Sequence, residues 1–152
     1  MRWVKVNEEQ AVEWLRMHQK ELYFSPQYLM TGMNRMNISL LVNEKGEEIG
    51  FVDCRVIQKE DLNSHDDAEF LEEALDTGTY FYVETLNVRS SFQNAGYGKQ
   101  FVERLKNATT ERIMVYVTAS SFEFWYNEGF RGINDDNYWL LYDNEKEIQA
   151  IA

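Results

Sequence analysis

The chain has 152 residues, is 44% hydrophobic and 14% aromatic, and carries a formal net charge of −11. That is enough for one domain with its own core, and the acidity speaks against nucleic acid, because a polyanion would be repelled. No apolar run reaches the roughly 18 residues of a membrane span, and the start, MRWVKVNEEQ, lacks the apolar core of a signal peptide; a cytoplasmic protein with no membrane contact is expected.

Residues 2–6 (RWVKV) read as a short strand. Asn7 followed by Gln10 is a capping-box pattern, and Ala11, Trp14, Leu15, His18 and Leu22 then share one helical face. Ser25–Pro26 opens a second, shorter helix, and 31–37 is loop-like. Segments 38–44 and 47–57 form a hairpin around Lys45–Gly46. An acidic stretch over 58–78 follows, with Phe70, Leu71 and Leu75 marking a helix inside it. It is either a solvated face or a lip that attracts a cationic substrate. Strand 79–88 leads through a glycine-containing turn into a helix over 97–107, on which Tyr97, Phe101 and Leu105 recur every four residues. Then come a strand over 111–119, a short helix over 121–129 stopped by Gly129, and two strands (FRGI and NYWLLY) around the Asn134–Asn137 turn. The polar tail 143–152 is expected to fray. This order predicts one α/β domain over 1–152: a mixed, mostly antiparallel sheet of about seven strands with helices on both faces.

The single cysteine, Cys54, lies in the apolar run GFVDCRVI and reads as a buried structural thiol. His18 and His65 are far apart with no cysteine companions, so no metal site is expected. The chemistry concentrates after strand 79–88. Strand, glycine turn and helix make an anion site: the glycines admit a ligand to the backbone, and the first amides of the helix have no internal acceptor. The segment Gln93-Asn-Ala-Gly-Tyr-Gly98 is neither a Walker loop nor a dinucleotide fingerprint.

With its neighbours, this segment resembles the GNAT superfamily of acyl-CoA-dependent N-acyltransferases. The matching residues are Leu86 and Val88 at the end of a strand, then Gln93, Gly96 and Gly98 opening a helix; a second motif matches at Ser121, Phe124, Trp125, Gly129 and Phe130. The resemblance implies acetyl-CoA as co-substrate, no metal, and an amine acceptor: a small molecule, or a lysine or N-terminal amine of a protein. It implies that the amides of Gln93, Asn94, Ala95, Gly96, Tyr97, Gly98 and Lys99 cradle the pyrophosphate. The strand edge Leu86, Asn87, Val88 would pair with the pantetheine arm, with Thr118 and Trp125 as further cofactor contacts. Glu84 is the candidate general base. It shares a strand face with Leu86 and Val88 inside the apolar run YFYVETLNV, where an unpaired carboxylate is costly. The alternative is a salt-bridged or edge-exposed glutamate. The family often places a tyrosine acid where this chain has Trp125; Tyr126 is the neighbouring candidate, with Tyr116, Tyr97 or water as substitutes. Thr118, Ser121, Ser90 and Asn94 also depart from the family's common residues. Relatives that dimerise through their last strands allow a homodimer through NYWLLY. The rival readings are a GNAT-fold module that binds CoA or a partner without turnover, and an acidic interaction protein.

Overall fold

Asn7 Oδ1 accepts from the Gln10 amide (2.8 Å) while Gln10 Oε1 accepts from the Asn7 amide (3.0 Å). This reciprocal cap starts helix α1, Glu8–Met17. The structure is a computed structural model and describes residues 1–24, 37–62 and 65–143. The helix expected from Ser25–Pro26, the loop over 31–36 and the tail from 144 onward lie outside the described residues. α1 ends before the apolar face through Leu22 predicts. His18 leaves helical geometry (φ −107°, ψ 14°) and a tighter turn over Gln19–Glu21 carries the chain on. Leu22 still reaches the cluster that holds Trp14 and Leu15, so the spacing reported a shared core and not one continuous helix.

The other elements are β1 (Arg2–Lys5), β2 (Ile38–Val42), β3 (Glu48–Gln58), α2 (Ala68–Ala74), β4 (Thr79–Val88), α3 (Tyr97–Ala108), β5 (Arg112–Tyr116), α4 (Phe122–Asn127), β6 (Arg131–Gly132) and β7 (Trp139–Tyr142). They build a seven-stranded open sheet in the order β1-β2-β3-β4-β5-β7-β6. The β1–β2, β2–β3, β5–β7 and β6–β7 pairs run antiparallel and β4–β5 runs parallel, as the mixed reading expected. The chain divides into two units, 1–54 with 85–101, and 55–84 with 102–152.

In the first unit, Ala11, Trp14 and Leu15 of α1 pack with Ile38, Leu40 and Phe51 of the hairpin strands. On the other face Trp3, opposite Leu41, stacks on Phe101 of α3 at 4.9 Å. Asn43 Oδ1 closes the hairpin turn by accepting from the Lys45 and Glu47 amides. A side chain at Gly50 would lie 2.1 Å from the Asn87 carbonyl oxygen, so β3 must be bare where the end of β4 comes closest.

In the second unit, Leu71 of α2 and Leu75 cover a face made by Tyr80, Tyr82, Met114 and Trp139. The opposite face carries α4: Trp125 meets Phe130 edge-on at 5.0 Å, and Phe130 lies 5.5 Å from Tyr142. The Lys106 ammonium donates to the Glu128 carbonyl and sits 4.3 Å from the Tyr142 ring, satisfying the end of α4.

Candidate active site

The parallel ladder of β4 runs from Tyr80↔Arg112 to Val83↔Val115 and goes no further. On its other edge β4 stays bound, because the Arg89 amide donates to the Ile49 carbonyl (2.8 Å). Backbone groups alternate sides along a strand. With Arg89 and Asn87 directed at β3, the N–H and C=O groups of Leu86 and the N–H of Val88 face the edge that has no ladder partner among the described residues. The Val88 carbonyl accepts from the Gln93 side-chain amide (3.0 Å). Asn87, expected with this edge, turns its backbone to β3, and its buried side chain accepts from the Tyr23 amide (2.7 Å) and donates to Thr85 Oγ1 (2.8 Å).

After β4 a short turn over Ser90–Phe92 leads to the glycine segment. Asn94 (φ 64°) and Gly96 (φ 83°) both take left-handed backbone, which brings the chain round into α3. A side chain at Gly96 would meet nothing within 4 Å, so the space above it is open to a ligand. The first helical bond is from the Gln100 amide to the Gly96 carbonyl (3.0 Å). The amides of Tyr97, Gly98 and Lys99 precede it and have no intrahelical acceptor. Ala95 and Lys99 are exposed at this end, while Tyr97 turns inward to accept from Asn43 Nδ2 (3.3 Å).

A polar clamp holds the base of this segment. The Arg89 guanidinium donates to Glu21 Oε2 (2.7 and 2.9 Å) and to the Glu48 carbonyl (2.9 Å), and the Ser91 amide (3.2 Å) and hydroxyl donate to Glu21 Oε1. These bonds, the Ser91 hydroxyl foremost and Arg89 next, hold the Glu21 carboxyl down at about 2. His18 stands beside Glu21 (4.0 Å); its pKa is lowered, by burial first and then by Arg89.

Glu84 is half-buried and salt-bridged, the alternative that its apolar run left open. Arg55 Nη1 lies 3.1 Å from its Oε2, and the same guanidinium sits 5.3 Å from the Tyr82 ring centroid. The ion pair resolves the cost of the charge in an apolar strand. Glu84 follows Tyr82 on the face that α2 covers, whereas α4 packs on the opposite face of the same unit. There Trp125 is buried (5% exposed) and Tyr126 exposed, its ring stacked on Phe122 and beneath the Arg131 guanidinium at 3.8 Å. Thr118 is exposed, its amide and hydroxyl engaged with Ser120 and Ser121. Thus Leu86, Val88 and Gln93–Lys99 fall together in the first unit, and Glu84, Thr118, Trp125 and Tyr126 fall in the second. The Cys54 thiol is pushed up to about 11, by burial first and then by Asp53, which suits a structural role. Among the described residues no group of three or more His, Cys, Asp or Glu side chains is placed to hold a metal, and no helix is long and apolar enough to cross a membrane.

Solved structures share this fold. The Bacillus subtilis N-acetyltransferase YlbP, solved in complex with coenzyme A, is similar over 93% of this chain and 95% of its own, with TM-score 0.63 and 14% identity. Naa20 from Chaetomium thermophilum, in complex with a bisubstrate analogue, is similar over 98% and 90%, with TM-score 0.65 and 10% identity. The chain has the GNAT fold. The same fold also carries other chemistry: the GNAT-like decarboxylase GphF, in complex with isobutyryl-CoA, is similar over 85% and 72%, with TM-score 0.56 and 15% identity. No family model and no curated protein matches the chain.

Glu21, Arg89, Ser91 and Gly50 are site-building residues that the sequence reading missed. Glu21 and Arg89 are 68 positions apart, and neither occupies a spacing that marks it.

Proposed function

We propose that residues 1–152 act as an acyl-CoA-dependent N-acetyltransferase that passes an acetyl group to an amine by direct attack. The observation that carries this reading is the run from Leu86 to Lys99. An open strand edge leads into a left-handed turn and a helix start with unsatisfied amides. That order suits a ligand with amides at one end and a pyrophosphate at the other. Bound acetyl-CoA would supply an activated thioester that needs no covalent enzyme intermediate.

The chain's own residues then have three tasks. The amides of Tyr97, Gly98 and Lys99, with the Lys99 charge beside them, hold the pyrophosphate in the open space above Gly96. The Leu86 and Val88 edge aligns the arm as an added strand, and a strand amide there polarises the reacting carbonyl. Glu84 removes the amine's proton, directly or through a water, while Arg55 fixes the carboxylate's orientation. Tyr126 is the proposed proton donor to the leaving sulfur. The acceptor is an amine of a small molecule or a protein.

Thermal unfolding with and without acetyl-CoA, with ATP as a phosphate control, tests the cofactor. A ligand at 100 times its Kd adds about 2.7 kcal/mol, a shift of several degrees for a domain this size. A shift with acetyl-CoA alone supports the reading, and no shift with either overturns it. A second reading, a CoA-binding module without turnover, is favoured by the Arg55–Glu84 pair and by a buried tryptophan at the family's usual tyrosine. CoA binding with no transfer to any amine in a broad panel would establish it.

A further inference from the structure

On the α2 face of the second unit, one level of the sheet carries Glu84 and Tyr116, the residues just beyond the last β4–β5 pair, and Trp139, the partner of Tyr116 on β7. Around Tyr116 stand His65, Tyr138 and three carboxylates. Tyr116 is 42% exposed and Tyr138 52%, with ring centroids 6.3 Å apart. His65 lies 5.7 Å from Tyr116 and 5.1 Å from Trp139. Its Nδ1 accepts from the Asp67 amide (3.1 Å) and lies 4.0 Å from Asp67 Oδ2.

Two of the carboxylates, Asp67 and Asp136, brace these rings with one oxygen each. Asp67 Oδ2 accepts from the Trp139 indole N–H (2.9 Å), and Asp136 Oδ2 accepts from the Tyr138 and Trp139 amides (2.9 and 2.8 Å). Oδ1 of each has no protein partner among the described residues. No lysine or arginine of the described residues pairs with Asp66, Asp67 or Asp136. Burial, then Asp67, Tyr138, Asp136 and Asp66, raise the Tyr116 pKa. Half-exposed tyrosine rings beside carboxylates that no lysine or arginine neutralises are the chemistry that stabilises an ammonium group.

We propose that this cluster is a subsite for an ammonium group that stays charged, so that the acceptor is a diamine or polyamine whose second cation rests here. The acceptor assignment rests on the acetyl-transfer reading. An amine that attacks a thioester must first lose its proton, and a free amine holds it to a pKa near ~10. A site built to favour the charged form therefore fits the amine that does not react.

Tetramethylammonium, which cannot be acetylated, tests the subsite apart from catalysis. Titrated into the protein, it should shift the Trp139 indole N–H resonance saturably. Tyr138→Ala should weaken that binding roughly tenfold, while Tyr138→Phe, which keeps the ring, should retain it. With acetyl-CoA, diaminobutane should exceed butylamine about tenfold in kcat/KM, an advantage that Tyr138→Ala removes. No saturable shift, or one unchanged in Tyr138→Ala, overturns the subsite. Equal use of the two amines overturns the diamine assignment. Tetramethylammonium binding in a protein that does not bind acetyl-CoA keeps the subsite and sinks the acetyl-transfer reading.

Discussion

The turn from Gln93 to Lys99 and the cluster around Tyr116 are both open to solvent, yet they are made from different materials. The turn offers backbone: left-handed φ at Asn94 and Gly96, and helix amides ahead of the first internal bond. Its side chains mostly stand aside, and its shape is held from below by Glu21, Arg89 and Ser91. The cluster offers side chains: tyrosine faces and outward carboxylate oxygens, each anchored through the oxygen's twin to a neighbouring amide or indole. A backbone site accepts any ligand with the right phosphate and amide pattern, whereas a side-chain site can be retuned one residue at a time. The first suits a cofactor, and the second suits an acceptor that differs between proteins of one fold.

The comparison breaks most sharply at Gly50. Its missing side chain is what lets the Asn87 carbonyl come in, and backbone cannot step aside as a flexible side chain could. Gly50→Ala is expected to cost about 3 kcal/mol, seen as a fall of roughly 6–12 °C in the unfolding midpoint. A fall under about two degrees would mean that β4 is not pinned there. Next comes Glu84→Gln, which keeps shape and removes the base. It should cut acetyl transfer at least about a hundredfold while coenzyme A binding, made by the other region, stays within about twofold. Equal loss of both would place Glu84 in the cofactor's support rather than in proton transfer.

These two residues also mark what was legible in the sequence. β4 has the bounds its sequence predicts, and α3 starts at Tyr97 as predicted, because an apolar strand run and a glycine turn are local signals. The capping box at Asn7 and Gln10 was local too. What escaped depends on partners brought from afar. The salt-bridged alternative for Glu84 had no partner to name, because Arg55 sits 29 positions away on the neighbouring strand. Gly50 looked ordinary because only the approach of Asn87 makes it necessary. His65 read as a residue of an acidic loop, and its place against Tyr116 and Trp139 appears only once α2 folds onto the sheet.

Gly96→Ala sharpens the contrast at smaller scale. The new methyl meets no protein atom, so the stability loss is conformational, about 1 kcal/mol for a left-handed position. The same methyl would stand in the space proposed for the pyrophosphate, so coenzyme A should bind about tenfold more weakly, by calorimetry, and tetramethylammonium with unchanged affinity. Coenzyme A binding left intact would move the phosphate away from this turn.

The finest test is pH, and it acts on the clamp beneath the turn. Glu21 titrates at about 2 when folded, against an ordinary 4.5, because the Ser91 hydroxyl and then Arg89 bind its charged form. A lowered folded pKa means that the unfolded chain takes up the proton first as pH falls. The clamp's contribution is therefore complete above about 4.5, shrinks between there and about 2, and is gone below. In Glu21→Gln that contribution is absent at every pH. The gap in unfolding free energy between the two proteins should be widest above about 4.5 and should narrow steadily toward about 2. Ser91→Ala should move the narrowing to higher pH, since the hydroxyl contributes most to holding the carboxyl down. A gap that stays constant across the window would show that Glu21 is not ionised against Arg89 and Ser91, and would leave the turn held by the Arg89 amide's bond to the Ile49 carbonyl and the guanidinium's bond to the Glu48 carbonyl alone.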